Sequence, residues 1–280
     1  MDFIFLLLTG LNSVMNAVAG ALFAPVAVSP GWLSITIISA VLGVLLLLIF
    51  KYTSNQKAIG SVRDEVNANL IAAWLFKDSI SVTIKSQSRV FVSSFKLLYF
   101  AVIPLLVMII PVSLILAQMG LWYQARPLSV SDEPVVVRLR LNESLQSFPS
   151  VRLEPSEVFQ KTTGPVKIVT KKEVLWELKP LKKGVQELVF DVDGEKYTKQ
   201  FVVGDGFMKV SLMRPGMNLG DLFLHPLEKP FTKDSPVSSI EIAYPERDSK
   251  VCGTDWWIFY FFICSMIFAF AFKPFFNVRI

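Results

Sequence analysis

The chain has 280 residues, of which 52% are hydrophobic, with 23 phenylalanines, a mean hydropathy of +0.50 and a net charge of +5. Ordinary soluble domains carry fewer apolar residues, so the composition argues against that class and predicts a membrane protein. A single histidine excludes a multi-histidine metal site or a histidine relay built from this chain alone.

The N-terminal segment, residues 1–31, is apolar but interrupted by polar residues such as Asn12 and Asn16. Its only early charge is Asp2, so it lacks the basic region that begins a secretory signal peptide. We expect an uncleaved amphipathic helix that lies in the membrane interface. A further membrane span is the alternative.

Three nearly uncharged runs follow, at residues 32–50, 97–123 and 255–273. A run of about 18 to 20 apolar residues is long enough to cross the hydrocarbon core as a helix. The sequence therefore predicts three transmembrane spans, with the short tail 274–280 after the last.

Between the first two spans, segment 51–96 has the pattern of a basic helical hairpin. Apolar residues recur at spacings of three and four in two arms, which predicts one apolar stripe on each helix. We expect the two stripes to close on each other and the turn to lie at 76–79; the alternative is a solvated loop that contacts anionic lipid. The predicted stripes are Ile59, Val62, Val66, Leu70 and Ala73 in the first arm, and Ile80, Ile84, Phe91 and Phe95 in the second.

The charges of the loops predict the topology. Segment 51–96 has seven basic and three acidic residues, whereas the long segment 124–254 is nearly neutral. Because Lys and Arg near span ends are retained in the cytoplasm, we expect the hairpin and the C-terminal tail to be cytoplasmic. The N-terminus and segment 124–254 are then outside. The modest size and the absence of eukaryotic targeting signals favour a bacterial inner membrane.

Segment 124–254 is predicted to be mostly β. Hydrophobic residues alternate along 135–141, and a second alternating pair of runs is joined by Asp193-Gly194, a strong signal for a β-hairpin. A further short strand is expected at 208–212. About five to seven short strands in a segment of this size indicate an Ig-like β-sandwich with Trp176 in its core. The expected fold class is membrane α plus β: three spans, a cytoplasmic hairpin, and a sandwich inserted between spans two and three.

Catalytic motifs are sparse. His225 lies between prolines in a predicted surface loop. Cys264 falls inside the last predicted span and Cys252 before it, so the two cysteines lie at different depths in the membrane and are not expected to form a disulfide. Gly204-Asp205-Gly206 has the pattern of a turn after a strand and not of a phosphate loop. We therefore expect no enzyme, no cofactor and no metal.

Polar residues inside the predicted spans are the remaining candidates for function, because polar groups at membrane depth are costly and usually face protein or water. Ser39 and Ser113 could also bond their own helix backbone, which is the more common outcome. Gln118 has two donors and an acceptor to satisfy, so it is harder to explain in that way. Met108, Met119 and Met266 either line an adaptable apolar surface or pack in the ordinary manner.

The order of these elements resembles that of the YidC/Oxa superfamily of membrane protein insertases, over about residues 15–128. With three spans, the plan is similar to the reduced members of that superfamily, such as the insertase subunit of the ER membrane protein complex and archaeal relatives. Bacterial members have an arginine in the first core span, at a place that matches the neighbourhood of Gly43. The residues that carry the resemblance are Trp32-Leu33-Ser34-Ile35-Thr36-Ile37-Ile38-Ser39, Lys51-Tyr52-Thr53-Ser54, Ile103-Pro104-Leu105-Leu106, Pro111 and Gln124-Ala125-Arg126-Pro127-Leu128.

The resemblance implies a hydrophilic groove that receives a client helix and lowers the cost of moving its polar flank across the membrane. Ser39, Ser113 and Gln118 would then wet the groove. The basic residues of the hairpin would serve client contact, with nascent membrane proteins, the ribosome or other membrane-protein subunits as partners besides the lipid bilayer; no specific nucleic acid is expected. These basic residues are Arg63, Lys77, Lys85 and Arg89.

The first functional hypothesis is therefore an insertase-like protein or membrane chaperone. The alternative is a membrane-anchored interaction or structural protein of the cell envelope, in which the sandwich binds a partner and the spans serve only as anchors.

Overall fold

The computed structural model describes residues 2–23, 31–247 and 256–278. The chain divides into two compact units. The sheet unit comprises Met1–Ile35 and Leu114–Ile258, and the helical unit comprises Thr36–Ser113 and Phe259–Ile280.

Among the described residues, three helices are long and apolar enough to cross a bilayer, and they indicate an integral membrane protein. They are α1 (Asp2–Phe23), α2 (Gly31–Thr53) and α4 (Ile80–Tyr123). The last predicted span corresponds to α6 (Trp257–Phe272), which is apolar but only 16 residues long. The set of three long helices thus differs from the predicted one, because α1 belongs to it and α6 does not.

The second predicted span and the second arm of the hairpin form one helix. α4 runs for 44 residues without a break at the expected boundary of 96 and 97, and it includes Pro104 and Pro111. The preceding helix α3 (Gln56–Leu75) begins at a cap in which Asn55 Oδ1 accepts a hydrogen bond from Ala58 N. The turn at 76–79 lies where the sequence predicts it.

The packing of the hairpin differs from the prediction. Ile59 and Val62 are buried in α3 as expected, but within residues 80–96 of α4 the buried residues are Ser86 and Ser93. They belong to a row of buried and half-buried positions repeating at three and four, the spacing of a helix-pairing seam. The predicted stripe of α4 is instead exposed, at Ile80 (76%), Ile84 (60%), Phe91 (67%) and Phe95 (56%), and Leu70 of α3 is also exposed (51%).

The sheet unit has two antiparallel sheets. The five-stranded sheet has the order β3-β4-β1-β8-β7, and the three-stranded sheet has the order β2-β5-β6. A short helix, α5 (Leu219–Leu224), lies between β7 and β8. The strands are β1 (Val135–Leu141), β2 (Val151–Leu153), β3 (Phe159–Ile168), β4 (Glu173–Pro180), β5 (Gly184–Val192), β6 (Glu195–Val203), β7 (Met213–Arg214) and β8 (Val237–Ile242).

The predicted hairpin at Asp193-Gly194 is confirmed. β5 and β6 pair in register from Val192 with Glu195, and both turn residues have positive φ, 50° at Asp193 and 91° at Gly194. A two-residue turn of this kind matches the twist of the flanking strands. The short strand expected at 208–212 is wrong, since pairing begins only at β7.

Both sheets contribute to one hydrophobic core. Trp176 of β4 is 2% exposed, and its ring centroid lies 5.3 Å from that of Phe190 of β5, which confirms its predicted place in the core. Leu139 and Phe201 are fully buried in the same cluster. Alternation of apolar residues along each strand thus supplies the two inner faces.

Candidate functional site

The helical unit contains an apolar cavity of about 370 Å³ lined by residues of α2, α4 and α6. Two methionines, Met108 and Met266, stand in its wall beside Phe50 and Phe262. Its one hydroxyl, Ser265 Oγ, donates to the carbonyl of Phe262 at 3.0 Å and is therefore satisfied within its own helix. The cavity offers hydrophobic contact and no polar group in need of a partner.

Gly43 stands where α2 and α6 come close together. A Cβ added at Gly43 would collide with the carbonyl oxygen of Ser265 and lie 2.9 Å from its Cα. α2 and α6 therefore approach backbone to backbone at this point. An arginine at position 43 would have no room.

Ser39 and Ser113 do not line this cavity. Ser39 is fully buried in α2, and the hydroxyl of Ser113 donates to the carbonyl of Ile109, one helical turn earlier, at 2.7 Å. Such a back-bond satisfies a serine inside a helix without any ligand. The role of both residues in a polar groove stays a prediction.

Gln118 lies in the sheet unit, where it is 3% exposed. Its Nε2 donates to Asn16 Oδ1 at 2.8 Å, and Asn16 Nδ2 donates to the carbonyl of Pro226 at 2.8 Å. Asn12 makes a parallel bond, from Nδ2 to the carbonyl of Leu222 at 2.9 Å. The polar residues of α1 are thus bound to α5 and the loop after it, and Gln118 has a structural partner that its sequence neighbourhood does not reveal.

The basic residues proposed for the hairpin are exposed. Arg63 lies on α3, Lys77 in the turn, and Lys85 and Arg89 on α4. The hairpin also has an ion pair, in which Lys96 Nζ lies 3.8 Å from Glu65 Oε2 with both side chains about half exposed. Exposed pairs of this type contribute little to stability. The main effect of the exposed basic side chains is the positive charge that they give to the surface of the hairpin.

A buried lysine in the sheet unit escaped the sequence analysis. Lys199 of β6 is fully buried, and its Nζ lies 2.5 Å from Glu228 Oε1, 2.7 Å from the carbonyl of Ser211 and 3.2 Å from Ser211 Oγ. The other oxygen of Glu228 accepts a bond from the backbone N–H of Gln200 at 3.0 Å. The alternation of Tyr197, Lys199 and Phe201 was the available signal, because it places Lys199 on the inner face.

A serine beside a lysine can act as a nucleophile and its base, but this pair has a different character. Burial lowers the pKa of Lys199, while the carboxylate of Glu228 opposes that shift and holds the ammonium as an ion pair. A general base must be neutral and must reach a substrate. Ser211 is only 2% exposed, so the arrangement fastens the loop around Glu228 to β6.

The remaining candidates for chemistry are few. His225 is half-buried at the C-terminal end of α5, where its backbone N–H donates to the carbonyl of Asp221. Burial lowers its pKa. Cys264 lies in α6 as a free thiol, and Cys252 lies outside the described residues.

No protein-family model, no curated protein and no solved structure matches the chain.

Proposed function

We propose that the chain assists the insertion or folding of membrane proteins by holding an apolar helix of a client against the methionine-lined cavity of the helical unit. The observation that carries the proposal is the wall between α2, α4 and α6, which is apolar except for the internally bonded Ser265 and has Met108 and Met266 in it. The resemblance to the YidC/Oxa superfamily supports the same function.

The nature of the wall defines the type of client contact. Methionine is unbranched and polarisable, so it adapts to side chains of different shape and is common at promiscuous binding surfaces. A cavity of about 370 Å³ falls at the lower end of the usual range for binding pockets and has room for a few side chains, not a whole helix. On this proposal it receives one face of a client helix, while the rest of that helix contacts lipid.

The placement of the other parts belongs to the same proposal. The excess of basic residues in segment 51–96 supports a cytoplasmic hairpin. The sheet domain between α4 and α6 would then be extracytoplasmic. Its two antiparallel sheets around one core are compatible with an Ig-like sandwich. With α1 held to the sheet domain through Asn12 and Asn16 and not crossing the bilayer, the N-terminus would be outside and the C-terminus in the cytoplasm of a bacterial inner membrane.

Site-specific photocrosslinking to nascent membrane proteins in ribosome-bearing vesicles tests the proposal. A crosslinker at Met108 or Met266 should form client adducts. The same crosslinker at Leu106, an exposed residue of α4 (58%) outside the cavity, is the matched control and should label mainly lipid. Ser39 and Gln118 report on the polar groove. Equal labelling from Met108 and Leu106 would contradict a client site in the cavity.

The alternative, a membrane-anchored envelope protein that acts through its sheet domain, is favoured by the bonds that fasten α1 to that domain. Filling the cavity distinguishes the two functions. Met108→Trp leaves the sheet unit unchanged, so an anchored binding protein keeps its activity in a complementation assay. An insertase-like protein loses both client adducts and complementation.

A further inference from the structure

Two segments of the sheet unit are held beside the C-terminal end of α4. The helix ends at Tyr123, and the three residues after it pair with residues 245–247 in an antiparallel bridge. The loop 204–210 is held there as well, because Val210 N donates to the carbonyl of Leu121 at 2.8 Å. Both segments therefore stand where a helix long and apolar enough to cross the bilayer comes to its end.

The end of α4 lies at the level of the lipid headgroups. Its uncharged run, residues 97–123, is about 40 Å long, whereas the hydrocarbon core is about 30 Å thick. When the run is centred in the core, its last turn lies in the headgroup region, where tryptophan and tyrosine are enriched. An aromatic cluster of Trp122, Tyr123, Phe207 and Trp257 occurs there, with ring centroids 5.1 to 6.2 Å apart along the cluster.

Arg247 lies on this aromatic cluster without a counter-ion. Its guanidinium carbon is 4.7 Å from the ring centroid of Phe207, and its terminal nitrogens donate to two carbonyls of the loop 206–208 at 3.3 and 3.4 Å, which are long bonds. Its Nε has no acceptor, and it has no ion pair, within the part of the chain that the structure describes. Arg126, by contrast, is neutralised by Asp132 at 2.8 Å. Burial lowers the pKa of Arg247, as expected of a cation that no carboxylate neutralises.

Lys209 is a second cation without a counter-ion at the same place. It is exposed, it directly follows one of the residues to which Arg247 donates, and it has no ion pair in the described ranges. The carboxylate of the same loop, Asp205, is paired with Lys183. Glu246 precedes Arg247 in the bridge, but successive side chains of an extended segment point to opposite faces. Two uncompensated positive charges thus stand at headgroup level.

We propose that Arg247 and Lys209 bind the phosphate of an anionic phospholipid at this end of α4. A guanidinium matches two phosphate oxygens at once, and basic sites beside membrane helices recognise anionic headgroups. The aromatic cluster below the cations would contact the apolar part of the same lipid, a contact that a free phosphate ion would not make. This inference depends neither on the client cavity nor on the side of the membrane that the sheet domain occupies.

Native mass spectrometry of the full chain in detergent micelles, titrated with phosphatidylglycerol or phosphatidylcholine, tests the proposal. We expect the first phosphatidylglycerol to bind at least about tenfold more tightly, because the choline group already neutralises the phosphate of the other lipid. Arg247→Gln should weaken phosphatidylglycerol by about tenfold, since it removes charge-assisted hydrogen bonds. Arg247→Lys keeps the charge but not the two-point contact, so it should fall between the two.

Two further variants separate the site from the fold and from the overall charge. Lys209→Gln changes an exposed side chain and should weaken phosphatidylglycerol several-fold with an unchanged near-UV circular dichroism spectrum. Arg152→Gln is the matched control and should change the binding of neither lipid. It removes an exposed arginine from β2, whose sheet meets Leu128, just after α4, through β6 at the opposite edge.

Three results would overturn the proposal. Equal binding of the two lipids, or the same loss in Arg152→Gln as in Arg247→Gln, would reduce the effect to overall positive charge. Phosphatidylglycerol binding that survives in both Arg247→Gln and Lys209→Gln would remove these residues as the site. Displacement of the lipid by inorganic phosphate alone would make a free anion the ligand.

Discussion

Replacing Lys199 with Met should strongly destabilise the sheet unit. The substitution keeps the length and apolar stem of the side chain but leaves Glu228, whose side chain is 13% exposed, as a buried carboxylate without its ammonium. Loss of one partner from a buried ion pair typically costs about 3–5 kcal/mol. The carbonyl of Ser211, which Lys199 Nζ contacts at 2.7 Å, loses its donor as well.

The double variant Lys199→Met with Glu228→Gln distinguishes two contributions to the free energy of unfolding: the penalty for leaving one buried charge unpaired, and the net stabilisation by the ion pair itself. A glutamine oxygen can still accept the bond from Gln200 N, and no net charge remains buried. Because neutral replacements of buried pairs are often tolerated, we expect the double variant to recover most of the lost stability.

Urea unfolding of the full chain in nanodiscs, followed by near-UV circular dichroism, measures these differences. In thermal unfolding, the same loss of about 3 kcal/mol would lower Tm by roughly 10 °C for a domain of this size. Lys196→Met is the matched control on the same strand. Its partner Glu154 lies at 2.8 Å, but the lysine side chain is 66% exposed, so we expect little or no change. Equal effects at Lys199 and Lys196, or a double variant no more stable than Lys199→Met, would refute the reasoning.

Three further predictions concern the helices and the pH dependence. Gly43→Ala should destabilise the helical unit by about 1–3 kcal/mol in detergent unfolding, through overpacking. Gly20→Ala, with nothing within 4 Å of the added Cβ, should not destabilise and should gain up to about 1 kcal/mol, because alanine favours a helix more than glycine does. Ser93→Ala should stabilise the hairpin by about 1 kcal/mol in thermal unfolding, because Ser93 Oγ is buried without a partner in the described part of the chain, and Phe91→Ala should have little effect. The pKa of His225 is lowered below its ordinary 6.5, so the unfolded state binds more protons between the two values. Stability should then fall as the pH drops from 6.5 through the lowered pKa, and His225→Gln should flatten this part of a Tm-against-pH curve.

Local patterns identified many of the elements. Alternation and the Asp193-Gly194 turn were sufficient for β5 and β6, because a hairpin is decided by residues close in sequence. Trp176 could be assigned to the core because apolar residues alternate along its own strand. α1 and α6 were harder, since an apolar run reveals that a helix prefers a membrane or a core but not which of the two it occupies.

The partners of the polar residues could not be predicted in this way. Gln118 bonds to a residue 102 positions away, and Asn16 to one 210 positions away. Periodicity reports on the element that contains a residue and not on the element packed against it. The same limit concealed Glu228 as the partner of Lys199, although the alternation of β6 already placed that lysine inside.

The hairpin shows why an apolar stripe does not by itself predict the buried face. Within residues 80–96 of α4 the buried side chains are the small residues Ser86 and Ser93, whereas the large apolar ones are exposed. The large residues are then left for another surface, and their environment decides what they can do. At Phe91 and Phe95 that environment is water on the proposed topology, so burial there gains the full hydrophobic effect. At Met108 and Met266 a client would replace lipid, which is equally apolar, so only packing favours it. Weak, reversible contact is therefore expected at the cavity.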